Sequence, residues 1–294
     1  MEIANPIYDV VFKYMMEDNA VARLLVSSII GEEVISLEPK PQERTKEKET
    51  EKDNFPSLTV YHLDFSAKIR TSEGHKVVLI EMQKASVLSD IMRFRGYLGQ
   101  QYIDKKNTVT GKDERVKAMQ IYGIFFLGDD LKICDTPVLS IFPEVRDIAT
   151  NQIVTTKSEF IESLNHKCWI VQISCLKKRR RNELELLLSA FDQNNCGENR
   201  HILTVDENEI PEKYRPLFRR LKMAASSKDV KRLMEKEDND IGFMKMWSRY
   251  EANKAIREKD EEIAQKDKAI EEKDKAIEAL LRKIEQLKIK AKEQ

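Results

Sequence analysis

LDFSAKIRTSEGHKVVLIEMQK, residues 63–84, sets one aspartate in an apolar run and one glutamate in the next, with turn chemistry between them. Thr71-Ser72-Glu73-Gly74 supplies the turn, and the runs on either side read as the two strands of a hairpin. Alternation at period two puts Asp64, Ser66 and Lys68 on one face of the first strand and Leu63, Phe65 and Ala67 on the other. On the return strand Val77, Leu79, Glu81 and Gln83 share a face, so Glu81 and Gln83 are neighbours there. Periodicity alone makes Asp64 and Glu81 ordinary solvent-facing residues of an antiparallel hairpin. If register brings the two together, however, like charges converge at one edge of a sheet, which is costly unless a cation neutralises them. A hard cation such as Mg²⁺, held by one or two carboxylates with water and substrate phosphate, meets that need.

Outward from the hairpin, Ile91 to Tyr102 has helical spacing, and KAMQIYGIFFLG (117–128) is a short, almost continuous apolar run that suits a strand covered on both faces. TPVLSIFPEV (136–145) and CWIVQISC (168–175) are further strand candidates, after which the pattern turns helical and strands are expected to stop. At the other end, Asn5-Pro6 reads as a helix cap followed by proline at the first helical position, with Ile7, Val10, Val11 and Tyr14 continuing at helical spacing. Residues 40–54, KPQERTKEKETEKDN, have almost no apolar content and read as a loop. The order favours a mixed α/β layer.

Composition narrows the function classes. Lys plus Arg and Asp plus Glu both number 51 in 294 residues, so net charge steers the chain toward neither nucleic acid nor acidic substrates, and any such preference must be local. No basic segment followed by an apolar core opens the sequence, and VARLLVSSII is short and contains Arg23. A cytoplasmic protein without a membrane span is the expectation. Cys134, Cys168, Cys175 and Cys196 are scattered with no C-x-x-C pair, as are the four histidines, so a zinc site is not expected.

An acid in one strand followed by E-x-Q or E-x-K at the end of the next resembles the PD-(D/E)XK nuclease superfamily. NPIYDVVFKYMM, LDFSAKI, VLIEMQK and IMRFRGYLGQQY together resemble the Rpn-type recombination-promoting nucleases, also described as PD-(D/E)XK family transposases. The likeness spans about residues 5–102, and its force lies in the order of the motifs. It implies a restriction-endonuclease-like core with a mixed β-sheet flanked by helices, and Mg²⁺- or Mn²⁺-dependent hydrolysis of DNA. Asp64 and Glu81 are the implied metal ligands. Gln83 stands where most of the superfamily has lysine; an amide orients water but adds no positive charge. Lys84 is adjacent but alternates to the opposite strand face, whereas Lys13 lies one helical turn after Asp9 and can supply the charge from beside it. Asp9 is similar to the helix-borne acid of the family, although an aspartate in a first turn paired to Lys13 also serves a helix with no function attached. Arg93 and Tyr97 resemble the later helix, approaching phosphate or bracing the site; as plain structure they are a surface cation over a half-buried ring.

KKRRR (177–181) offers either a grip on a DNA backbone or a solvated segment between domains. Leu184, Leu187, Leu188 and Phe191 form a core stripe in a helical extension. In the tail, Ile256, Ile263, Ile270, Ile277 and Ile284 recur every seven residues, the seam of a coiled coil. The companion positions read Lys259, Lys266, Lys273, Leu280 and Leu287, so the full apolar seam is distal, and a single solvated helix is the alternative. The expected organisation is a nuclease-like core over 1–176, a helical extension over 177–250 and a coiled coil over 251–294, with the coil making a homodimer. A catalytically silent scaffold with this fold, or a ribonuclease, is the other reading of the same residues.

Overall fold

The computed structural model describes residues 1–40, 65–83, 88–110, 116–128, 131–155, 158–177 and 180–240, and a set of positions between 254 and 277. Asp64, Lys84, most of the 40–54 segment, and Leu280, Leu281, Ile284 and Leu287 lie outside the described residues, as do the side chains of Gln83 and Arg93.

The chain opens with a short strand β1 (Glu2–Ala4), then helices α1 (Asp9–Met16) and α2 (Asn19–Ile30). Strands β2 (Ser36–Pro39), β3 (Phe65–Thr71) and β4 (Gly74–Gln83) lead to helix α3 (Leu88–Ile103). A hairpin of β5 (Thr108–Thr110) and β6 (Val116–Ala118) precedes β7 (Gln120–Leu127), β8 (Val138–Ile141), helix α4 (Glu159–Leu164) and β9 (His166–Gln172). Helix α5 (Glu183–Leu188), strand β10 (Ile202–Thr204) and helix α6 (Arg215–Ser226) follow. The main sheet has six strands in the order β2-β3-β4-β7-β9-β8. β2, β3 and β4 form an antiparallel meander, α3 carries the chain across to β7 parallel to β4, and β9 is again parallel to β7. The fold is thus a mixed α/β sheet flanked by helices.

The two faces of the sheet carry different layers. Val78, Ile80 and Met82 of β4, with Tyr122, Ile124 and Phe126 of β7, pack into a large core shared with α1, α2, α5 and α6. Phe12 of α1 meets Phe126 edge-on at 5.9 Å between ring centroids, and Phe126 in turn meets Phe191. The opposite face carries Val77, Leu79 and Ile121 beneath Phe94 and Leu98 of α3. β7 is therefore buried on both sides, as its unbroken apolar run requires.

Gly123 of β7 sets how closely α3 approaches. A Cβ there would lie 3.1 Å from both the Cys168 Sγ and the Phe94 ring, so any side chain at this position requires those neighbours to give way by a few tenths of an ångström. Gly123→Val is expected to push α3 outward and destabilise the protein by about 1–3 kcal/mol, read as a lowered denaturant midpoint at unchanged slope.

Three sequence expectations are corrected. Asn5-Pro6 does not start a helix: Asn5 is buried, its Oδ1 accepts from the Ile7 N–H, its Nδ2 donates to Gln193 and to the Arg200 carbonyl, and α1 begins at Asp9. Strands do not stop after CWIVQISC, because β10 pairs antiparallel with β1. The segment from 177 is not a separate extension, since Leu187, Leu188, Phe191, Leu217, Phe218 and Leu221 are buried in the same core as α1 and α2, and residues 1–234 form one compact unit.

Residues 235–294 form the second unit. Its described positions are helical, and Ile256, Ile263, Ile270 and Ile277 are each between 53% and 56% exposed, so this stripe is solvent-facing in the single chain. No helix among the described residues is long and apolar enough to cross a membrane.

Candidate functional site

Glu81 sits two residues before the C-terminal end of β4, an interior strand flanked by β3 and β7. Alternation from Val77 and Leu79 directs its side chain to the α3 face, and it is 1% exposed. Its register partner on β7 is Phe125, which packs with Phe94 of α3. A glutamate is almost never this buried unless a cation, a proton or several donors offset the lost hydration. The hairpin expectation of a solvent-facing Glu81 is therefore overturned: the alternation is right, and the face is covered by α3.

The β3–β4 ladder runs from Thr71 opposite Gly74 to Phe65 opposite Ile80. Ser66 and Lys68 oppose Leu79 and Val77 and so share the α3 face. Asp64, beyond Phe65, is outside the described residues. Gln83 ends β4 opposite Leu127. On α3, Tyr97 is buried with Phe94 and Leu98 rather than half-exposed, so the helix turns it toward the sheet.

Asp9 and Lys13 come together as the helical spacing requires, with Lys13 Nζ 2.5 Å from Asp9 Oδ2. Asp9 occupies the first turn of α1, where the helix dipole favours a carboxylate. The apolar side of α1 (Val11, Phe12, Met15, Met16) lies on the face bearing Ile80 and Met82, whereas Glu81 projects from the other. The described residues thus contain one buried carboxylate beneath α3 and one lysine–aspartate pair on the helix that covers the opposite face. Among them, no group of three or more His, Cys, Asp or Glu side chains is arranged to hold a metal.

The basic run 177–181 is built into the fold where it is described. Arg180 pairs with the fully buried Asp192 at 3.3 Å, and Arg181 pairs with the buried Glu185 at 2.6 Å, donating to it from Nε and Nη2. These arginines hold carboxylates of the core, which is why the run appears where α5 begins.

A polar cluster that the sequence reading did not single out lies near the N-terminal ends of β4 and β7. Lys76, 2% exposed, pairs with Glu32, which follows the left-handed Gly31 cap of α2. The Tyr122 hydroxyl donates to Glu32 Oε1 at 2.8 Å, and Lys76 Nζ lies 4.6 Å from the centre of the Tyr122 ring. Burial, and then its bond to Glu32, push the Tyr122 hydroxyl well above its ordinary pKa. For Glu32, burial raises the pKa, but the hydrogen bonds from Lys76 and Tyr122 and the charge of Lys76 outweigh it and leave the carboxyl below its usual range. Lys76 shares no sequence signal with Glu32, 44 positions earlier, so only tertiary structure reveals the pair.

No protein-family profile, curated protein or solved structure matches the chain.

Proposed function

We propose that the chain is a PD-(D/E)XK-type nuclease that hydrolyses DNA phosphodiester bonds with Mg²⁺ or Mn²⁺, as the resemblance to recombination-promoting nucleases implies. The observation that supports this most is Glu81: the glutamate of E-x-Q is 1% exposed on an interior strand, under a helix that the same motif set predicts. A buried carboxylate at the end of an otherwise apolar row is expensive for a fold to keep without a use.

In this reading Glu81 and Asp64 would hold the cation, which when bound supplies an activated water and positive charge at the phosphate. The donor chemistry fits, since carboxylate oxygens are hard acceptors. Glu81 is held rigid by the two strands beside it. Gln83 is assigned to orient water through its amide without adding charge. Asp9 and Lys13, paired at 2.5 Å, lie on the helix that covers the opposite face, so the charge that Gln83 does not provide is not drawn from Lys13. Arg93 and Lys84 are assigned to phosphate oxygens, and buried Tyr97 braces α3 against the sheet. The exposed isoleucine stripe of residues 256–277 supports self-association through the tail, which would bring two sites to one duplex.

Incubating the full chain with plasmid DNA and, separately, with structured RNA tests the reading. Nicked and linear plasmid should accumulate with Mg²⁺ or Mn²⁺ and not with EDTA. Cleavage of RNA alone would reassign the substrate. Intact DNA and RNA under all conditions would leave the scaffold reading in its place.

A further inference from the structure

The chain carries no net charge, yet the stretch from Arg215 to Arg232 holds seven arginines and lysines against one acid, Asp229. These residues make up α6 and the helical stretch that follows Ser227, whose hydroxyl accepts from the Val230 N–H at 3.3 Å. Both pieces turn their apolar side into the core, where Leu217, Phe218, Leu221 and Met234 are fully buried. What faces water is therefore basic. Arg220 is committed to structure, since it donates to the Tyr14 carbonyl and stacks on the Tyr14 ring at 3.7 Å. Arg215 reaches Glu212 and Arg232 reaches Asp229. Arg219, Lys222, Lys228 and Lys231 are exposed, and among the described residues no carboxylate pairs with them. A merely solvated helix face mixes charges of both signs. Here Arg215, Arg219 and Lys222 stand at i, i+4 and i+7, a row of like charge that weakens α6 as a helix.

We infer that this basic face, carried by Arg219, Lys222, Lys228 and Lys231, grips the phosphate backbone of duplex DNA. The choice of DNA as the polyanion rests on the nuclease reading; the charge of the surface does not. Phosphate contacts need positive charge in a row rather than a shaped pocket, and in a chain neutral as a whole the attraction for a polyanion is concentrated here. From Arg219 to Lys231 the helical rise covers at most about 18 Å. Over that length one strand of a duplex presents about five phosphates at about 3.4 Å each, close to the four unpaired cations. A lipid surface fits less well, because an amphipathic helix binds it by inserting its apolar side, and here that side is already in the core. An acidic protein surface mixes both signs, whereas a row of one sign matches a polyanion of constant charge per length. α6 packs on the sheet face opposite α3, so the contact is remote from Glu81 and acts on affinity rather than chemistry.

The test measures binding without cleavage. Anisotropy of a short labelled duplex is followed in EDTA over a series of salt concentrations for the full chain, for Glu81→Gln, and for a variant carrying Arg219→Gln, Lys222→Gln, Lys228→Gln and Lys231→Gln. The four-site variant should lose about 3–4 from the slope of log K against log salt, because each neutralised contact removes about 0.9. Its melting temperature should be unchanged, the four side chains being exposed. Should it melt early, the pairs Arg219/Lys222 and Lys228/Lys231 replaced separately should each give half the loss. Glu81→Gln should keep the wild-type slope. A wild type that binds in this way yet cuts nothing would overturn the nuclease reading alone. An unchanged slope in the four-site variant overturns the inference. So does equal competition by polyglutamate, or tighter binding to RNA of the same length or to phosphatidylserine vesicles, since each assigns the face to another partner.

Discussion

Glu81→Gln should abolish metal-dependent cleavage while leaving the fold in place. The amide matches the carboxylate in shape, so packing beneath α3 is conserved, and what disappears is the negative charge that would hold a divalent cation. Loss of a group that positions a catalytic metal costs at least about 2.7 kcal/mol of transition-state stabilisation, or about 100-fold in rate. Adding Mg²⁺ should raise the wild-type melting temperature and leave that of the variant unmoved, because only a state that binds ligand is stabilised by it. Cleavage by Glu81→Gln within threefold of wild type would remove Glu81 from the site. In that event the buried carboxylate is a structural element that pins α3 to the sheet.

The second large effect concerns stability. Glu32→Gln leaves the Lys76 ammonium buried with its principal counter-charge gone, since the remaining carboxylate, Glu73, lies 3.6 Å away and is itself half in solvent. Breaking one side of a buried pair costs about 3–5 kcal/mol, whereas removing both charges costs much less. Glu32→Gln combined with Lys76→Met should therefore be more stable than Glu32→Gln alone. The pH dependence has a defined sign. The folded pKa of Glu32 is depressed, so its contribution is present above the ordinary glutamate value of 4.5 and fades as the pH falls through the folded value. Denaturant melts at neutral pH and on the acid side should converge for wild type and Glu32→Gln as the pH drops. A difference that persists undiminished in acid would show that the amide harms packing rather than charge.

The hairpin, the doubly covered β7, the strands at TPVLSIFPEV and CWIVQISC, and the Asp9–Lys13 pair were all legible, because each is a local pattern of two or four residues. What alternation does not specify is what lies over a face. Val77, Leu79 and Glu81 read alike whether water or a helix covers them, and the burial of Glu81 follows from α3 folding back over β4. β10 escaped notice for a similar reason: three residues are too few to show a period, and Ile202–Thr204 becomes a strand only by meeting Glu2–Ala4. Asn5 carried the signal of a cap, but its side chain satisfies the loop at Gln193 and Arg200 instead. At 177–181 composition showed the charge but not that Arg180 and Arg181 pair with buried acids, Arg181 while itself 59% exposed.

The pairing of β1 with β10 has a further consequence for how the molecule comes into being. Ala4 bonds into a ladder with Ile202, and the Asn5 amide donates to the His201 carbonyl at 2.8 Å, so the strand that leads into α1 has no partner until residue 202 has left the ribosome. At bacterial or eukaryotic synthesis rates that interval is about 10–40 s. During it the hairpin bearing Glu81 can form from neighbours in sequence, while the segment bearing Asp9 and Lys13 waits for a distant clasp. A ribosome stalled before that point would hold a chain with its central strands made and its first helix still untethered.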